Sequence, residues 1–142
     1  MKEKKLFDIN DIIHVNLKSI LEENGTLVVL ENNEIDFTME RIFTVKTNKQ
    51  ELRGYHAHKE CYQLLYCLMG EIEVLCDDSK NQKSFILNNI SKGIIIPPTI
   101  WAIQKYKSDI SLLNVACSHR YIENDYIRDY EAFKKFRKNL NK

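Results

Sequence analysis

Residues 53–58 read Arg53-Gly54-Tyr55-His56-Ala57-His58, and Gln63 and Gly70 follow. In an extended strand successive side chains alternate between faces, so His56 and His58 share one face and Ala57 takes the other. Two imidazoles side by side are either a satisfied structural pair or an acid–base pair. Imidazole has an ordinary pKa of ~6.5, close to cellular pH, so it can remove a proton and return it. Such proton transfer contributes roughly 10²–10⁴-fold to a rate. Adjacent imidazoles resist double protonation, which keeps one of them neutral as a base. Arg53 falls on the opposite face of a regular strand and joins the histidines only if Gly54 bends the chain.

Outward from this segment the text is strand-like. Short β-branched or aromatic runs occur at 26–30, 41–46, 54–58, 62–68, 71–76, 84–87, 93–96, 100–106 and 110–116. Turn signals separate them, among them Asn24-Gly25, Asn32-Asn33, Asp77-Asp78-Ser79, Asn88-Asn89 and Pro97-Pro98. About nine short strands at close spacing predict an all-β antiparallel sandwich or barrel. Only the end is helical in pattern: Ile127, Tyr130, Phe133 and Phe136 recur after Asn124-Asp125, which can cap. With no repeat, low-complexity tract or linker, residues 1–142 read as one domain. About 1–25 form an N-terminal extension and first strand region, and about 124–138 form the terminal helix.

The charge is close to balanced, +1 with a pI near 7.7, which gives no basic footprint for nucleic acid. The basic tail from Lys134-Lys135 to Lys142 reads as a solvated helix face. No apolar run approaches the ~20 residues of a membrane span. The start, Met1-Lys2-Glu3-Lys4-Lys5, lacks the apolar core of a secretory signal. The expectation is a cytoplasmic protein in which Cys61, Cys67, Cys76 and Cys117 stay reduced.

Two histidines, an amide at Gln63 with four residues between it and His58, and a glycine at Gly70 resemble the first motif of the cupin barrel. Metal cupins carry Glu at the position of Gln63 and a histidine near Ala102. Two imidazoles and an amide are a poor set for a divalent ion, so no metal is expected. Glu60 and Cys61 are close in sequence, with nothing to guarantee that they converge. More closely, the chain resembles the dTDP-4-keto-6-deoxyglucose 3,4-ketoisomerases. The matching text is Arg41-Ile42-Phe43, Arg53-Gly54-Tyr55-His56-Ala57-His58, Gln63-Leu64-Leu65, Gly70 to Asp77-Asp78, Pro97 to Trp101, and Asp125-Tyr126-Ile127-Arg128-Asp129-Tyr130.

The resemblance implies a cupin or jelly-roll β-barrel with a C-terminal helix, and a homodimer. It implies a cofactor-free isomerase that moves the keto group between C4 and C3 of a dTDP-linked 4-keto-6-deoxyhexose through an enediol(ate), in deoxysugar and polysaccharide biosynthesis. His56 would carry the proton from C3 to C4 and His58 would orient or relay. Arg41, Arg53, Gln63 and Trp101 would hold the sugar nucleotide. Trp101 has an alternative place in the core, and Tyr126 and Arg128 read as anchors of the terminal helix. Three departures stand out: Phe43-Thr44 where many members have a tyrosine, Ala102 where they have a histidine, and Ser79 where the acidic turn ends in glycine. A non-catalytic nucleotide-sugar-binding cupin, a 3,5-epimerase-like enzyme and a metal-dependent cupin remain open as alternatives.

Overall fold

A computed structural model describes residues 6–141; Met1–Lys5, read as lacking a secretory signal, and Lys142, at the end of the basic tail, lie outside the described residues. In chain order the strands are β1 Ile13–Asn16, β2 Lys18–Glu22, β3 Gly25–Val29, β4 Arg41–Thr47, β5 Glu51–His58 and β6 Gln63–Met69. They continue as β7 Ile72–Asp77, β8 Gln82–Leu87, β9 Lys92–Ile96, β10 Trp101–Tyr106, β11 Ser111–Cys117 and β12 Tyr126–Ile127, before helix α1, Tyr130–Leu140.

All pairings are antiparallel. One sheet runs β1-β9-β6-β11-β4, the other β12-β5-β10-β7-β8, and β2-β3 form a separate hairpin. The expected all-β fold with a terminal helix is what the chain adopts. Among the described residues, however, no ladder joins the two sheets, so they pack as a sandwich and hydrogen bonding does not close a barrel.

Strand alternation builds three layers of apolar packing. Along β6, Leu65 and Cys67 face the other sheet and join Ile72, Val74, Phe85, Ile94, Leu113 and Val115 in the main core. Leu64 and Tyr66 face the opposite way and pack with Leu17, Ile35 and Ile95, covered by Val28, Phe37 and Met39. Being buried on both faces explains why β6 reads as an unbroken apolar run. Gly70, with φ +84°, makes the turn to β7; a Cβ there would sit 2.6 Å from the Ile110 carbonyl oxygen.

On the outer face of the second sheet, Ala57, Trp101, Ile127 and Phe133 form the third cluster. Phe133 is fully buried, worth roughly 2–3 kcal/mol against an exposed ring. Helix α1 begins later than the sequence suggests. Its cap is Asp129, whose carboxylate accepts from the Ala132 amide at 2.9 Å. Asn124-Asp125 lie instead at a 3-10 turn before β12, because Asp125 is engaged with β5. β1 and β2 fall in the N-terminal extension and first strand region, for which the sequence set no strand bounds; β1 pairs at the sheet edge with β9.

Candidate active site

The site forms where β5, β6, β10, β11 and β12 meet. Its geometry starts from an irregularity. Gly54 has φ +95° and Tyr55 φ 58°, and the β5–β10 register shifts between Ala102 and Ile103. Ala102 pairs with His56 and Gln104 with Arg53, so one residue is extruded as a bulge. Partners directly across an antiparallel ladder share a face. The bulge therefore returns Arg53 to the face of His56, from which strict alternation excludes it. Gly54 is required there, since a Cβ would lie 2.9 Å from the Ala102 carbonyl oxygen.

His56, His58, Cys61, Gln63, Ala102 and Gln104 line a narrow cleft between the sheets. The rings of His56 and His58 are 5.1 Å apart, edge to face. Tyr126 covers both, with centroids 5.1 Å from His56 and 4.4 Å from His58. Burial, and next the charge of a protonated His58, push His56 down to about 4. One of its nitrogens donates to the Gly54 carbonyl, which offsets only part of that shift. His56 is therefore neutral at neutral pH, with one nitrogen free to accept.

His58 is more deeply placed. Its Nδ1 lies 2.7 Å from Asp125 Oδ2, and the other Asp125 oxygen accepts from the Glu60 amide at 2.7 Å. Burial would raise the Asp125 carboxyl, but the hydrogen bonds from His58 and the Glu60 amide outweigh it and hold the group below its ordinary value. A carboxylate only accepts, so Nδ1 carries a proton, and in the neutral ring Nε2 holds the lone pair. That Nε2 is buried and has no partner among the described residues.

Arg41 enters from the start of β4. Its Nη2 reaches Tyr126 Oη at 3.3 Å and Cys117 Sγ at 3.5 Å, while its buried Nε has no acceptor among the described residues. A buried unpaired donor costs about 1–3 kcal/mol, which a bound ligand oxygen would recover. Gln63 is buried and donates through Nε2 to Cys117 Sγ at 3.4 Å.

Of the expected site residues, His56, His58, Arg41 and Gln63 converge, and Arg53 shares their face at the exposed end of β5. Trp101 does not. It projects to the outer face and rests on Tyr130 and Phe133 at 5.3 and 5.6 Å, so the core placement is the one observed. The reason is parity: Ala102, its neighbour, takes the inward position. Sequence reading missed Asp125, Cys117 and Gln104. It also gave Tyr126 only a role in anchoring the helix, although Asp125-Tyr126 stood in the resembling stretch.

His58, Cys61 and Asp125 offer potential metal-ligand atoms within 4.8 Å of one another. A metal there would have to break the His58–Asp125 hydrogen bond, and Asp125 is already shared with the Glu60 amide.

This arrangement sets two adjacent imidazoles on one wall of a cleft, with a carboxylate behind one of them, in a cupin-type sandwich. Residues 10–138 match the family described as FdtA, WxcM-like, C-terminal. A TDP-4-oxo-6-deoxy-α-D-glucose-3,4-oxoisomerase of Aneurinibacillus thermoaerophilus is 35% identical over 130 residues, covering 89% of this chain and 93% of the relative. The sugar 3,4-ketoisomerase QdtA of Thermoanaerobacterium thermosaccharolyticum, solved with TDP, is 29% identical, with TM-score 0.88 over 93% of this chain and 98% of that one. A 3,4-ketoisomerase of Helicobacter canadensis is 36% identical, with TM-score 0.86 over 93% of this chain and 98% of that one. The chain belongs to the FdtA family and, within it, to the sugar 3,4-ketoisomerases that its sequence resembles.

Proposed function

We propose that this protein is a 3,4-ketoisomerase of a dTDP-linked 4-keto-6-deoxyhexose, and that His58 is its base. The observation that carries the reading is the His58–Asp125 pair. Asp125 fixes the proton on Nδ1 and leaves the orphaned Nε2 as an acceptor facing the cleft. The resemblance implied His56 as the base; the geometry favours His58, because among the described residues only that ring has a carboxylate to stabilise the imidazolium it becomes.

The reaction needs one proton moved between carbons and one between oxygens. Nε2 of His58 removes the C3 proton, and the electron pair flows through C3=C4 onto the C4 oxygen as an enediolate. The C3 hydroxyl proton passes to the C4 oxygen, leaving the charge on the C3 oxygen. His58 then returns its proton to C4, the C3 carbonyl forms, and the base is regenerated. Neutral His56 and the Tyr126 phenol flank this path and can pass the oxygen-bound proton. Arg41 and Gln63 hold the sugar or diphosphate oxygens, Arg41 through its unpaired Nε.

No helix among the described residues is long and apolar enough to cross a membrane. We place the enzyme in the cytoplasm, where its four buried free cysteines fit a reducing compartment. We also propose a homodimer. The β2-β3 hairpin exposes Ile20, Leu21 and Leu27, and a second copy would cover such edges. Sedimentation showing only monomer at micromolar concentration ends that proposal.

A histidine-to-asparagine variant of QdtA was solved with TDP-4-keto-6-deoxyglucose. The corresponding experiment here is incubation with that sugar nucleotide in D₂O, with NMR of the product. A 3-keto product carrying deuterium at C4 is expected, and His58→Asn should abolish it while TDP still binds. Bound sugar that exchanges nothing would make the protein a binder instead of an enzyme. Normal turnover by His58→Asn would remove the base assignment.

A further inference from the structure

Cys117 ends β11 directly opposite Gln63 on β6 and is fully buried. Its sulfur is a meeting point for donors. Gln63 Nε2 lies at 3.4 Å, Arg41 Nη2 at 3.5 Å, and the Cys61 thiol is within hydrogen-bond reach. A neutral thiol sulfur is a weak acceptor, and neither an amide nitrogen nor a guanidinium can accept its proton.

Arg41 supplies the second observation. Its guanidinium is half-buried, with the Phe43 and Tyr121 rings 5.4 and 5.6 Å away. Among the described residues, no carboxylate is in ion-pair contact with it. A half-buried cation without a counter-charge is costly; of the two groups in contact that can supply one by losing a proton, the Cys117 thiol and the Tyr126 phenol, the thiol is ordinarily the more acidic.

We propose that Cys117 is a thiolate in the resting protein and a positioning residue for the isomerase, the counter-ion that aims Arg41 and Gln63 at the substrate. This rests on the reading in which those two side chains hold the sugar nucleotide. The electrostatics agree: the hydrogen bond from Cys61, with those from Gln63 and Arg41, outweighs burial and brings the Cys117 thiol down to about 6. The same contact from Cys117, with burial, pushes Cys61 up, so the pair carries one charge and one proton. The competing arrangement keeps both thiols neutral, with Cys117 donating to Cys61 and Cys61 to the Tyr62 carbonyl 3.3 Å away.

Two measurements decide between them. Ultraviolet thiolate absorbance of the wild-type protein should show one thiolate at neutral pH, lost on acidification with a midpoint near 6. The signal should vanish in Cys117→Ser and persist in Cys67→Ser, whose sulfur lies in the core on β6. In kinetics, Cys117→Ser should raise KM about tenfold with a smaller change in kcat, as expected for loss of one charge-assisted contact on a binding guanidinium. The acid limb of kcat/KM near 6 should disappear, and Cys117→Asp, which restores an anion, should recover part of the KM. Absence of thiolate at neutral pH in the wild type overturns the proposal. So does a Cys117→Ser enzyme with wild-type KM and an unchanged acid limb. If Cys117→Ser does not fold, the wild-type titration decides alone. If the wild type does not isomerise the keto sugar, the functional reading fails while the titration still judges the thiolate.

Discussion

Asp125→Asn isolates the group on which the proposed chemistry turns. The carboxylate accepts on both oxygens, from His58 Nδ1 at 2.7 Å and from the Glu60 amide at 2.7 Å. An asparagine accepts on one side only, so its NH₂ must face either the imidazole N–H or the amide N–H. If it faces His58, the tautomer reverses and Nε2 becomes a donor, useless as a base. If it faces the amide, the tautomer survives but the negative charge is gone. The imidazolium formed on proton abstraction then loses its counter-ion. For charges about 4 Å apart in an effective dielectric of about 20, that interaction is worth up to about 4 kcal/mol. Allowing for partial solvation, a loss of about 2–4 kcal/mol in the transition state lowers kcat ~30- to 1,000-fold. Asp125 lies behind the ring, so KM should change little. The assay is NMR turnover of dTDP-4-keto-6-deoxyglucose across substrate concentration, with circular dichroism to confirm folding. A folded Asp125→Asn enzyme with kcat within about threefold of wild type would refute the reasoning, because neither orientation of the amide preserves the charge.

Three further outcomes follow from the geometry. His56 is held at about 4 in the fold against ~6.5 when unfolded, so the unfolded chain takes up this proton first. Stability from this group is complete above ~6.5 and is lost as pH falls toward about 4; urea midpoints should decline across that window, and His56→Gln should flatten the decline. Gly54→Ala forces a Cβ to 2.9 Å from the Ala102 carbonyl at φ +95°, costing about 1–3 kcal/mol, and denaturant melts and turnover should fall together as the bulge that carries His56 shifts. Trp101→Leu should reduce stability by about 1–3 kcal/mol with KM unchanged; a raised KM at wild-type stability would return Trp101 to the substrate.

How far the sequence could be read depended on whether a feature was local. Strand alternation alone put His56 and His58 on one wall, and the apolar run of β6 was legible as a strand, though its burial on both faces emerged only from the packing. Arg53 was ambiguous because its facing depends on whether Gly54-Tyr55 extrudes a residue, which the β10 register decides and the β5 text does not. Trp101 was misplaced for the same reason: parity along β10 follows from Ala102 pairing with His56. The carboxylate was hidden by a plausible local role. Asn124-Asp125 before a helical pattern reads as a cap, yet Asp129 caps and Asp125 reaches 67 positions back to His58. Cys61 and Cys117, far apart in the chain, gave no signal at all, since their meeting follows from β6 lying beside β11.

The departures from a metal-binding set gain a physical sense once the charges are placed. A glutamate at position 63 would put an anion inside the cleft, in front of the imidazoles, where it would attract a cation and oppose an enediolate. Gln63 instead brings no charge of its own to the cleft wall and turns its amide to Cys117. In the proposed chemistry the assisting anion stands behind the ring, as Asp125, where it would stabilise a proton arriving at Nε2 without repelling the charge that develops on the sugar. Ala102 in place of a histidine acts the same way. Lying opposite His56, it leaves room where another ligand would point, and a third imidazole there would compete for the same protons. The phenol missing at Phe43 is answered from another strand, since Tyr126 lies over both rings with its hydroxyl held by Arg41. Carboxylate and phenol both arrive on residues 125–126, directly before the helix. Its packing on Trp101 and Ala57 thus holds half of the proposed catalytic apparatus against β5.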